Sequence, residues 1–99
     1  PGPSMTAAIG LFRRGPAWND RDTVREHRLM HEHRSFISSL VVEGALESAG
    51  PLQPLDERLV GDLVGLVVGG DAAAMRTALG YDPAVADGVL EVDVMPWYR

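Results

Sequence analysis

Cysteine is absent from this 99-residue chain, which excludes disulfides, a thiol nucleophile and thiolate metal sites. Lysine is absent too, so nine arginines face fourteen acidic residues and the net charge is −5. That balance argues against nucleic-acid binding, whose affinity comes largely from basic side chains neutralising phosphates. Long apolar runs are also missing. The longest, Leu63 to Val68, falls far short of the roughly twenty residues that a membrane-spanning helix needs. Nothing near the start resembles a signal peptide, so a cytoplasmic location is the expectation, and no Gly-rich phosphate loop or convincing ligand cluster points to an organic cofactor or a metal.

The remaining composition, 45% hydrophobic and 23% charged, is that of an ordinary globular chain. A domain of this size buries only around two-thirds of the surface that its unfolded chain exposes, so association would help it. Pro1–Ser4 ahead of Met5 read as a tag remnant, leaving residues 5–99 as one domain. Arg13, Arg14, Arg21, Arg25, Arg28 and Arg34 crowd the first third, either as a solvated face or as an anion-binding patch.

Taken in order, Ala7 to Phe12 is a short apolar run closed by Arg13-Arg14-Gly15-Pro16, which predicts a buried first strand. Gly15 to Asp22 loops, with Asp20 or Asp22 placed to cap a helix running to about Glu43 and Trp18 placed at a pocket mouth or on the domain's edge. Gly44 sits where a positive φ would close that helix. Alternation from Ala45 predicts a second strand to about Leu52, stopped near Gly50-Pro51, followed by a polar loop between Gln53 and Asp62. Leu63 to Val68 is apolar on both faces, so helices must cover one side and something else, most economically a second subunit, the other. Asp71 caps an alanine-rich helix from Ala72 to Leu79; Asp82-Pro83 opens a further helical turn; and Val89 to Trp97 alternates as a last strand. The order strand, helix, strand, strand, helix, strand predicts an α+β, ferredoxin-like βαββαβ fold: a four-stranded antiparallel sheet with two helices on one face.

On a wheel of about 100° per residue, Leu29, His33, Phe36, Ile37, Leu40 and Gly44 share one side of the long helix. His33 lies near the middle of that stripe, either as a packing residue or as an imidazole held out of bulk water for chemistry. His27 and His31 have the i, i+4 spacing of a metal pair, but they project from the opposite side without an obvious third ligand, so no metal site is expected.

With the His33 helix, the segment E-G-x-L-x-x-A-G-P (Glu43 to Pro51), the segment D-P-x-V-x-x-G (Asp82 to Gly88) and the opening Ile9-Gly10-Leu11-Phe12-Arg13-Arg14-Gly15-Pro16, the chain resembles the YCII-related domain family from about Met5 to Trp97. The resemblance implies a dimeric α+β barrel, in which two sheets face one another across a two-fold axis. It also implies a histidine and aspartate pair as the active site, carried here by His33 and Asp82. Dehydrochlorinase and muconolactone-isomerase chemistry in the family and its wider superfamily points to lyase or isomerase reactions on small hydroxylated rings. A carboxylate against one imidazole nitrogen fixes the tautomer and leaves the other nitrogen to move a proton. Asp82 could equally cap the turn through Pro83 and do nothing more. Ser48 and Tyr81 are candidate hydroxyl donors to a bound oxygen, Arg13 or Arg14 a candidate attractor of an anionic substrate, and Trp97 a candidate contact with the partner subunit.

A non-catalytic ligand-binding or accessory dimer fits the same residues, and an oxygen-using monooxygenase of the same superfamily fits them less well. Substitution of His33 separates the first two, because an enzyme loses rate while a binder loses affinity or nothing.

Overall fold

The first strand, β1 (Thr6–Arg14), runs through the middle of the sheet, hydrogen-bonded on one side to β3 (Leu63–Gly69) and on the other to β4 (Leu90–Tyr98). A computed structural model describes residues 6–19, 24–52 and 63–98. The strand order is β2-β3-β1-β4, with β2 (Ser48–Pro51) at one edge and all neighbours antiparallel. The described residues also form three helices: α1 (Val24–Val42), α2 (Ala72–Leu79) and the single turn α3 (Pro83–Ala86). This is an α+β ferredoxin-like fold. The expected caps at Asp20 or Asp22, the loop from Gln53 to Asp62 and the segment Pro1–Ser4 lie outside the described residues.

Alternation along the strands decides which face is covered. Ala8, Gly10 and Phe12 of β1 are buried and pair with Gly69, Val67 and Gly65 of β3, which are buried as well. These residues meet the helices. Phe12, Val67, Met75 and Leu79 join Leu29 and Ile37 of α1 in one core, and Leu90 of β4 closes it. Burying each such side chain contributes about 1.5–3 kcal/mol, which is where most of the fold's stability arises. The opposite sheet face carries Ile9, Leu11, Leu66 and Val68, half-buried, with Met95 and Trp97 still more exposed. Strand pairing brings Ile9 beside Val68 and Met95, and Leu11 beside Leu66.

The helix ends follow from the sequence. Gly44 has φ 82°, and the carbonyls of Val41 and Leu40 accept from the amides of Gly44 and Ala45, closing α1. Leu46 also donates its amide to Leu40, so the chain first joins the β3 ladder at Glu47 and the strand begins at Ser48 instead of Ala45. Leu46, expected on one face of a strand, is a buried plug beneath the helix end. Asp71 caps α2 through the amides of Ala73 and Ala74, at 2.9 and 3.3 Å.

One close approach fixes the position of α3. The amides of Gly15 and Ala17, just after β1, donate to Val89 and Gly88, each at 2.9 Å. A Cβ on Gly15 would stand 2.2 Å from the Gly88 carbonyl oxygen, so only glycine lets the two segments dock. The Gly-Pro turn after β1 therefore anchors the segment that begins with Asp82.

Candidate functional site

α1 carries His33 on its core-facing side, one turn from both Leu29 and Ile37, which are buried. The imidazole stands edge-on to Phe12 of β1, with ring centroids 4.9 Å apart and planes at 76°. α3 packs against α1 and brings Asp82 to the same place from 49 residues further along the chain. Asp82 is 0% exposed, and no other polar or charged residue among the described ones is buried to that extent. Burial of a carboxylate is tolerable only when its oxygens are satisfied. Oδ1 accepts the Ala84 amide at 2.9 Å as the cap of α3, and Oδ2 pairs with Nδ1 of His33. Capping and pairing are therefore simultaneous, one through each carboxylate oxygen.

With Nδ1 committed to Asp82, Nε2 is the nitrogen left for another partner. The His33 side chain is 13% exposed and borders a cavity of about 640 Å³ between α1 and the β2–β3 edge of the sheet. That volume suits a small organic molecule. Phe12, Ile37, Val64 and Val67 give the cavity an apolar lining, and Gly50 and Gly65 add none of their own bulk. Its polar contributors besides His33 are Arg34 and Ser38 on α1, and Glu47 and Ser48 at the start of β2.

The structure thus brings His33, Asp82 and Ser48 to one region and leaves two other candidates elsewhere. Arg13 projects from the far face of the sheet, where it is ion-paired with Asp93. Tyr81 is 76% exposed and does not line the cavity, although it directly precedes Asp82. Arg14 lies over the Trp18 ring, 5.3 Å from its centroid, and Trp18 itself packs partly buried against the core and does not line the cavity. His31 is exposed, and the side chain of His27 lies outside the described residues. Among the described residues no group of three His, Cys, Asp or Glu side chains is arranged to hold a metal ion. No helix among them is long and apolar enough to cross a membrane. Sequence reasoning missed Arg34 and Ser38 as cavity residues. The signal was there: Met30, Arg34, Ser38 and Val41 form a second line along α1 beside the His33 stripe.

Fold and site together define a class: a ferredoxin-like α+β protein with a ligand-sized cavity beside a histidine and a buried aspartate. Neither a protein-family model nor a curated protein sequence matches the chain. Solved structures do. The 5-chloro-2-hydroxyhydroquinone dehydrochlorinase of Burkholderia phenoliruptrix, in complex with 2,5-dihydroxybenzoquinone, is 10% identical, with a TM-score of 0.52 over 91% of this chain and 92% of that one. A dimeric ferredoxin-like protein of unknown function from a Jannaschia species is 18% identical, with a TM-score of 0.55 over 90% and 97% of the two chains. SnoaB, a cofactor-independent oxygenase of Streptomyces nogalater, is 12% identical, with a TM-score of 0.53 over 97% and 94%. At these identities the likeness shows the fold and nothing finer.

Proposed function

We propose that this chain is a YCII-related domain protein that catalyses a cofactor-independent proton-transfer reaction, a lyase or isomerase step, on a small hydroxylated ring bound beside His33. The observation that carries this reading is the buried Asp82 holding Nδ1 of a histidine whose ring borders the cavity. Asp82 orients the imidazole, and His33 Nε2 takes a proton from a hydroxyl or an acidic C–H and returns it elsewhere as the imidazolium. The apolar lining around Phe12 and Val67 excludes water and seats the ring. The dehydrochlorinase and its dihydroxybenzoquinone complex support the choice of an oxygenated ring, while the oxygenase neighbour shows that one fold serves several chemistries.

The reading includes a homodimer. Ile9, Leu11, Leu66, Val68 and Met95 form an apolar sheet face on the side opposite the described helices, and several neighbours are described as dimeric. Packing that face against its copy gives the dimeric α+β barrel.

The test is a panel of chlorinated and unchlorinated hydroxyquinols and small unsaturated lactones, read by halide release and ultraviolet absorbance, with wild type and His33→Gln. Turnover that falls by about 10²–10⁴ in His33→Gln, with circular dichroism unchanged, supports the reading. Turnover unaffected by the substitution overturns it. Ligand binding without turnover in wild type assigns the cavity to a binding module instead.

A further inference from the structure

Among the described arginines, most are accounted for. Arg13 pairs with Asp93, Arg28 pairs with Glu32 at 3.4 Å, Arg14 lies over Trp18, and Arg76 sits on the exposed side of α2 away from the cavity. Arg34 differs from all of them. Among the described residues it is the only basic one bordering the cavity apart from the neighbouring His33, it is exposed, and no carboxylate among them meets its guanidinium. Ser38 stands one helical turn further on, also borders the cavity, and its hydroxyl has no hydrogen-bond partner among the described residues. Residues i and i+4 lie one above the other on a helix, so a guanidinium and a hydroxyl line one edge of the cavity together. His33, adjacent to Arg34 in the chain, opens into the same space.

We propose that Arg34 and Ser38 anchor a carboxylate of the substrate, so that the cavity takes a small cyclic acid whose reacting edge is turned to His33. This rests on the proton-transfer reading above and names its substrate class. Guanidinium is a planar fork that meets a carboxylate through two parallel hydrogen bonds, and a serine hydroxyl donates a further one. The protein's net charge of −5 repels anions at long range, so an anionic ligand needs a local cation of this kind. Glu47 orients it further. It borders the β2 side of the cavity, is engaged in an interaction of its own, and disfavours a carboxylate on that wall. A ring anchored by its acid group at α1 lies along the apolar floor of Phe12 and Val67, within reach of the imidazole.

The experiment is calorimetric titration of the full chain with 2,5-dihydroxybenzoate and with its methyl ester, which differ in the charge and size of one group. The acid is expected to bind wild type at least about tenfold more tightly, the scale of a charge-assisted contact at a partly exposed rim, and to weaken as salt is raised. Arg34→Gln erases the preference, Arg34→Lys keeps part of it, and Ser38→Ala lowers it by a smaller factor. Both residues are exposed, so circular dichroism stays unchanged in each variant. His33→Gln keeps the preference for the acid, because the anchor is separate from the base. Failure of the catalytic reading therefore appears in turnover, and failure of the anchor in this ratio. Equal affinity for acid and ester, no binding of either at millimolar concentration, or a preference that survives in Arg34→Gln overturns the proposal.

Discussion

Removing the Asp82 carboxylate tests two of its roles at once. In Asp82→Ala the Ala84 amide loses the acceptor that caps α3, a loss of about 1 kcal/mol for a helix cap. His33 Nδ1 loses its partner inside a site where the side chain is only 13% exposed, which costs about 1–3 kcal/mol. The sum is about 2–4 kcal/mol, which for a domain of this size lowers the melting temperature by about 10–30 °C. Asp82→Asn separates the roles. Asparagine caps as well as aspartate does, and its carbonyl can still accept the Ala84 amide. Its amide, however, presents N–H to Nδ1, which forces the hydrogen onto Nε2 and turns that nitrogen from acceptor into donor. Asp82→Asn should therefore melt within about 1 kcal/mol of wild type while losing turnover about 10²–10⁴-fold. Calorimetric melting of both variants beside the halide and absorbance assay makes the comparison. An Asp82→Ala protein that melts with wild type, or an Asp82→Asn protein with full activity, refutes the reasoning.

Two further outcomes follow from the packing. Gly15→Ala forces its Cβ to within 2.2 Å of the Gly88 carbonyl oxygen, so the segment carrying Asp82 must undock; destabilisation by more than about 3 kcal/mol and a lower soluble yield are expected in thermal unfolding. Leu66→Asp places a charge at the centre of the apolar sheet face, and light scattering should then give a mass near that of one chain where wild type gives twice that; an unchanged mass contradicts the dimer proposed through this face.

Periodicity carried most of the fold. The core-facing stripe of α1, the cap at Asp71 and the two faces of β4 are local patterns, and each appears where the sequence puts it. Strand β2 was legible only in outline, because alternation from Ala45 cannot reveal that the Leu40 carbonyl accepts from the amides of Ala45 and Leu46 and that Leu46 is buried in the core. The pairing of His33 with Asp82 is not a local pattern at all. Forty-nine residues separate them, and only the family resemblance suggested that they meet. Arg13 shows the reverse case: it shares the two-residue period of Ile9 and Leu11, so β1's own alternation turns it away from Phe12 and the cavity. Arg34 stood out only as one of six crowded arginines, a solvated face or an anion-binding patch, because the cavity beside it depends on the spacing between α1 and a short edge strand, which no single segment encodes.

In the proposed reaction Asp82 holds His33 through Nδ1 and leaves Nε2 to accept a proton. Long-range proton–nitrogen correlation spectra of uniformly labelled protein, with the His33 signals assigned by comparison with His33→Gln, read the tautomer directly. Hydrogen on Nδ1 of neutral His33 is expected, with a change at Nε2 when a hydroxylated ring binds. Hydrogen on Nε2 in the free protein, or an imidazole indifferent to a bound ligand, contradicts it.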